Sequence, residues 1–259
     1  MERELACIDG HVVDVEAAVI PVTDPGLLRG DGVFEAIQLY DGVPYALDAH
    51  LERLARSASG LRLALDPDAF RADIAALLQA RPDARGMVRI VATRGGRRIV
   101  LVEPPPERPQ AVELEPVTYA PPRLLDGIKS LSYAPNMLAG RLARERGADD
   151  ALLVTPHGRL LECPTAAFFL VRGGEVATAP LSEHILDSIT RRLVLAVAAV
   201  REEPLELADL ASAEEAFIAA TPYEVMPVSR VGEHRYAAPG PRTSEVAALV
   251  SERIASELR

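Results

Sequence analysis

Apolar and polar residues alternate over the first 20 positions, and Asp9-Gly10 breaks the alternation with a turn-forming pair, so the chain is expected to open on a β-hairpin. From Asp48 the spacing changes. Leu51, Leu54, Ala58 and Leu61 fall on one helical stripe, which predicts a helix with Asp48 as its N-cap. Asp66-Pro67 should cap a second helix over 69–80, with Phe70, Ile74, Leu77 and Leu78 inward. Two β-rich runs, 87–93 and 98–103, then meet across Gly95-Gly96 as a hairpin.

Prolines cluster at positions 104, 105, 106, 109, 116, 121 and 122, a pattern that suits an edge strand followed by an extended linker. The domains are therefore expected at 1–118 and 125–259, with 119–124 between them. A helix over 135–146 should end at Gly147, and hairpins should turn at His157-Gly158 and Gly173-Gly174. A long helix is predicted from Ser188, carrying Ile189, Leu193, Val194, Val197 and Val200. Strands follow at 216–220 and 225–231, and a last helix from Thr243. This order makes the chain α+β.

The 259 residues suit one large or two modest domains at roughly 100–200 residues each. With 49% hydrophobic and 25% charged residues, the composition is that of a folded globular chain. No apolar run approaches the roughly 18 residues of a membrane span, and the acidic start Met1-Glu-Arg-Glu-Leu does not resemble an export signal. A cytoplasmic protein without a membrane partner is expected. A net charge of −10 disfavours nucleic acid. Cys7 and Cys163 form neither a disulfide framework nor a metal knuckle, and the five histidines show no ligand spacing, so no metal is expected.

Of the 28 basic residues, Lys129 is the sole lysine. Chemistry that needs a neutral primary amine cannot use arginine, whose pKa stays above about 12, and Schiff-base formation is the commonest such chemistry. The residues around Lys129 give this weight. Asp24-Pro-Gly-Leu-Leu-Arg-Gly-Asp-Gly-Val-Phe-Glu35, Asp48-Ala-His-Leu-Glu-Arg53-Leu and Lys129-Ser-Leu-Ser-Tyr133 resemble successive motifs of the class IV, or fold type IV, pyridoxal-phosphate aminotransferases. Gly147-Ala-Asp-Asp-Ala-Leu-Leu-Val, Leu161-Glu162, Ile185-Leu-Asp-Ser-Ile-Thr190-Arg and Thr221-Pro-Tyr-Glu-Val-Met-Pro-Val228 continue the resemblance in order. It covers about residues 8 to 231. The Gly30-Asp-Gly32 run lacks the third glycine of a dinucleotide fingerprint.

The resemblance implies a small N-terminal α/β domain, a larger β-barrel-like C-terminal domain with helices, a homodimer, and pyridoxal 5′-phosphate as cofactor. By the same resemblance Lys129 is catalytic and holds the cofactor, and Glu162 lies beside its ring nitrogen. Arg53, Ser188, Ile189, Thr190 and Thr221 receive its phosphate, and Tyr133 its phenolic oxygen. A guanidinium fork and the free N–H groups of a helix start both suit a phosphate dianion. His50, in the same motif as Arg53, is expected to fix local structure. After Glu162 the sequence departs from the family pattern: Cys163-Pro-Thr-Ala-Ala167 puts Ala167 where an asparagine is usual.

The implied reaction moves an amino group between an amino acid or amine and a 2-oxo acid. The family also contains aminodeoxychorismate lyases, which usually carry threonine two residues after the motif's aromatic, where this chain has Ala36; transaminase is therefore preferred. A protein that binds the cofactor without turnover is a third reading, and the retained lysine argues against it. Substrate is expected to meet Phe34 and, at its carboxylate, one of Arg89, Arg94, Arg97 and Arg98 around the Gly95-Gly96 hairpin.

Overall fold

The computed structural model describes residues 4–259, so residues 1–3 of the acidic start lie outside it. The chain divides into two compact units. The first comprises residues up to Pro106 together with Ile128–Tyr133, and the second comprises Glu107–Gly127 and Ala134–Arg259.

In the first unit the expected hairpin is present as β1 (Leu5–Ile8) and β2 (His11–Asp14). A short helix α1 (Pro25–Arg29) precedes β3 (Gly32–Tyr40) and β4 (Val43–Pro44). Helices α2 (Leu47–Gly60) and α3 (Pro67–Ala80) lead to β5 (Gly86–Thr93) and β6 (Arg98–Glu103). The strands form one antiparallel sheet in the order β2-β1-β6-β5-β3-β4. Ile37, Leu39, Val88, Ile90 and Val100 share one parity of their strands and pack with Leu51, Leu54, Phe70, Ile74 and Leu77 of the helices. The other parity, with Phe34, Ala36, Met87, Arg89, Val91, Leu101 and Glu103, lies on the opposite face. Asp66 caps α3 as expected, accepting from the N–H groups of Asp68 and Ala69. Asp48 does not cap α2. It is the helix's second residue, behind Ala46 in the left-handed region, and its carboxylate receives Arg71 instead.

The second unit begins with β7 (Val112–Thr118) and continues through α4 (Ala134–Glu145), β8 (Asp150–Val154) and β9 (Arg159–Leu160). Strands β10 (Ala167–Arg172) and β11 (Glu175–Thr178) precede α5 (Ile189–Val197), which is followed by β12 (Val200–Glu202) and β13 (Leu205–Glu206). Strands β14 (Glu215–Ala220), β15 (Glu224–Val231) and β16 (His234–Arg235) and helix α6 (Pro241–Glu257) complete it. The sheet runs β12-β11-β10-β14-β15-β7-β8-β9-β13, with β16 beside β15. Every residue of β14 is buried, which accounts for the apolar run over 216–220, while Glu215 at its start accepts the Arg242 and Thr243 N–H groups.

Two elements depart from the sequence expectation. The proline-rich stretch does not end in an edge strand, because β7 lies between β15 and β8, parallel to both. Pro116 lies beyond the β15 pairing, which reaches only Leu114, and its ring sits beside Gly232. The helix from Ser188 stops at Val197 rather than continuing through Val200. Ala198 is extended and Val200 opens β12, pairing with Val176. The chain also leaves the first unit at Pro106, ahead of β7, and returns to it for Ile128–Tyr133. Against the single boundary expected at 119–124, the prolines at 104–106 mark the first crossing.

Candidate active site

The environment of Lys129 is built by glycines. The Ile128–Tyr133 segment lies along the start of β3, where Phe34 N–H donates to the Lys129 carbonyl at 3.2 Å and Leu131 N–H donates to the Gly32 carbonyl at 2.8 Å. A Cβ on Gly32 would come within 2.3 Å of the Ala92 carbonyl oxygen and 2.6 Å of the Leu131 side chain. Gly30 has φ +65° and abuts the Leu131 backbone. The Gly-Asp-Gly motif is thus a docking surface for the lysine segment. Ser57 Oγ of α2 accepts the Lys129 backbone N–H at 3.1 Å.

The lysine side chain runs over the sheet face opposite α2 and α3. Its Nζ is 4.3 Å from the Phe34 ring centroid and 5.8 Å from that of Tyr133, and the two rings meet edge to face at 5.3 Å. Arg89 approaches the same Phe34 ring, its Cζ at 5.5 Å. Phe34, Lys129, Tyr133 and Arg89 are therefore brought together. The other candidate arginines have different partners. Arg94 bonds Asp31 and the Leu61 and Arg62 carbonyls at the end of α2, Arg97 bonds Asp9, and Arg98 bonds Asp73.

Arg53 is buried in α2. Its Nε and Nη2 donate to the two oxygens of Glu35 at 2.6 and 2.7 Å, and His50 Nδ1 lies 2.8 Å from Glu35 Oε2. Glu35 is completely buried. Burial pushes its carboxyl up, but hydrogen bonds from Arg53 and His50 and their charges more than reverse this and hold it at about 2. Burial lowers the pKa of His50 against the pull of Glu35, with Arg53 and Lys129 adding repulsion. His50 thus has the local structural part expected of it. Glu35 closes the Gly-Asp-Gly motif, where the sequence alone assigns it no part.

In the second unit Glu162 follows β9, and one of its oxygens accepts the Leu186 N–H at 3.0 Å. Tyr119 lies near enough for Glu162, after burial, to raise the pKa of its phenol. The turn beyond Glu162 is closed by Cys163 N–H to the Ala166 carbonyl, and Asn136 Nδ2 donates to the Pro164 carbonyl. Ala167 is buried in β10 opposite Ala219, where a methyl group packs and an amide would need partners. Burial raises the Cys163 thiol well above its usual range.

Ser188 caps α5, its Oγ accepting the Arg191 N–H at 3.3 Å. Ile189 and Thr190 are the first two helical residues, whose N–H groups have no acceptor within a helix. Thr221 is half-buried in the turn after β14. Among the described residues no cluster of His, Cys, Asp and Glu could hold a metal, and no helix is long and apolar enough to cross a membrane.

The family model for amino-transferase class IV matches residues 32–231. A putative branched-chain-amino-acid aminotransferase of Methanocaldococcus jannaschii is 33% identical, the match covering 86% of each chain. A D-alanine aminotransferase of Listeria monocytogenes is 30% identical, again over 86% of each. A fold IV transaminase from Curtobacterium pusillum superposes with a TM-score of 0.86 at 28% identity, covering 96% of this chain and 99% of that one. With its lysine docked by the Gly-Asp-Gly motif and its motifs in family order, the chain belongs to the class IV aminotransferases, enzymes that depend on pyridoxal phosphate.

Proposed function

We propose that the enzyme holds pyridoxal 5′-phosphate through Lys129 and transfers amino groups between an amino acid, or an amine, and a 2-oxo acid. The observation that carries this reading is the placement of the chain's one lysine, fixed at both backbone groups and directed over Phe34 beside Tyr133. The donor set suits the cofactor: a primary amine, a carboxylate for a pyridinium, a guanidinium and first-turn N–H groups for a phosphate. When bound, the cofactor supplies the electron sink for the pair left on the substrate's Cα.

In this reading Lys129 Nζ anchors the cofactor and moves the proton on and off that carbon. Glu162 keeps the ring nitrogen protonated, and the Leu186 N–H holds the carboxylate in one orientation. Arg53, Ser188, Ile189, Thr190 and Thr221 bind the phosphate, with Glu35 aligning the guanidinium. Tyr133 meets the phenolic oxygen. Arg89 receives a substrate carboxylate, since it is the hairpin arginine that shares the Phe34 face with Lys129.

Ala36 lies opposite Arg89 on that face and has no hydroxyl to offer, which favours amino transfer over lyase chemistry. Both reactions should be assayed on one preparation. Amino transfer to 2-oxoglutarate or pyruvate is expected to exceed pyruvate release from aminodeoxychorismate. The reverse order would assign the chain to the lyases.

The working form is proposed to be a cytoplasmic homodimer. Both cysteines are unpaired thiols, as a reducing compartment allows, and Val19, Val22, Leu27 and Leu28 are more than half exposed within one short segment. Light scattering is expected to give twice the 27.8 kDa chain mass. An active monomer would refute the dimer.

A further inference from the structure

We propose that Glu103 sets substrate specificity by competing with the substrate's carboxylate for Arg89. This rests on the reading of Arg89 as the carboxylate receptor. The strand register puts the two residues on the face of the first unit's sheet opposite α2 and α3, Arg89 opposite Leu101 and Glu103 two positions further along β6. At that diagonal the side chains meet as two parallel bonds, Nε to Oε1 at 2.5 Å and Nη2 to Oε2 at 2.8 Å. A fork-to-fork pair is also how arginine takes a carboxylate from solution. Glu103 therefore stands where a substrate carboxylate would seek to bind, on a guanidinium 5.5 Å from the ring that Lys129 also covers.

The pair is open to exchange. Arg89 and Glu103 side chains are 30% and 28% exposed, unlike the sealed Glu35–Arg53 pair at 0% and 6%. Around them the face is mainly apolar, with Phe34, Ala36, Met87, Val91 and Leu101, and Gln38, opposite Met87, is a polar member of it. A substrate that places only apolar atoms there meets a neutralised arginine and leaves the pair intact. One that brings a carboxylate must displace Glu103 or share the guanidinium with it against like-charge repulsion. Glu103 thus weakens carboxylate recognition at Arg89 and favours substrates that do not ask for it.

The test is Glu103→Gln in the holoenzyme, with 2-oxoglutarate and pyruvate as alternative acceptors. Removing the competing charge is expected to lower KM roughly tenfold, equivalent to 1.4 kcal/mol, with kcat within about twofold. A fall for 2-oxoglutarate alone assigns Arg89 to the distal carboxylate, and a fall for both assigns it to the shared one; either supports the proposal. Calorimetric titration with glutarate, against its uncharged diamide, should show the same tightening without turnover. Unchanged or raised KM and glutarate Kd would overturn the proposal. Arg89→Leu separates the two levels. If it raises carboxylate KM while Glu103→Gln lowers nothing, Glu103 is only a support for a correctly assigned receptor. If Arg89→Leu leaves carboxylate KM unchanged, the receptor assignment falls and the proposal with it.

Discussion

Lys129→Ala is expected to reduce amino transfer by at least about 10³-fold, the scale of losing both a positioned proton carrier and the cofactor's covalent anchor. No other side chain can take over, because the remaining 27 basic residues are arginines and none offers a neutral amine near neutral pH. The fold should survive. The segment is held by the Lys129 N–H to Ser57, its carbonyl to Phe34 and the Val33–Ser130 bridge, all of which alanine keeps. The loss would therefore appear in kcat with an unchanged denaturation midpoint. Borohydride trapping followed by peptide mapping should place the cofactor on the Lys129 peptide of the unmodified enzyme and nowhere in the variant. An active Lys129→Ala holoenzyme would overturn the assignment of the site.

Local signals carried much of the fold. Asp9-Gly10, Gly95-Gly96, His157-Gly158 and Gly173-Gly174 each sit in the turn between two strands, because the φ each turn requires is written in its own residues. Asp48 misled because an acidic residue suits both the N-cap and the first helical turn, and only the left-handed Ala46 before it decides between them. Val200 fits a helical stripe, but its environment is set by Val176 on a strand 24 residues earlier. Lys129 stands out from composition and motif alone. Which hairpin arginine faces it could not, since Arg89, Arg94, Arg97 and Arg98 differ only in partners that strand register and tertiary packing provide. Glu35 left a readable trace: it shares strand parity with the buried Val33, Ile37 and Leu39. On α2, the buried His50, Arg53 and Ser57 repeat at i, i+3 and i+7, a polar stripe where apolar residues would be expected.

Glu35→Ala is expected to destabilise the protein by roughly 3–5 kcal/mol, because it leaves the Arg53 guanidinium buried without its counter-charge. The acid limb should change as well. The folded-state pKa of Glu35 is depressed to about 2, so its contribution is complete above the unfolded value and is lost as pH falls from about 4.5 towards 2. His50 acts earlier with the same sign, since its lowered pKa lets the unfolded chain take up a proton first as pH drops below its ordinary value near 6.5. Urea denaturation between pH 7 and 3 should show both components in the unmodified enzyme and lose the lower one in Glu35→Gln. Stability and function then separate by a triple replacement, Glu35→Met with His50→Leu and Arg53→Met. Packing apolar groups of similar volume removes every buried charge of the cluster, so most of the lost stability should return. Under the proposed role of Arg53 in phosphate binding, cofactor affinity should not return. If the triple variant bound pyridoxal phosphate as tightly as the parent, Arg53 would be a structural partner of Glu35 and nothing more.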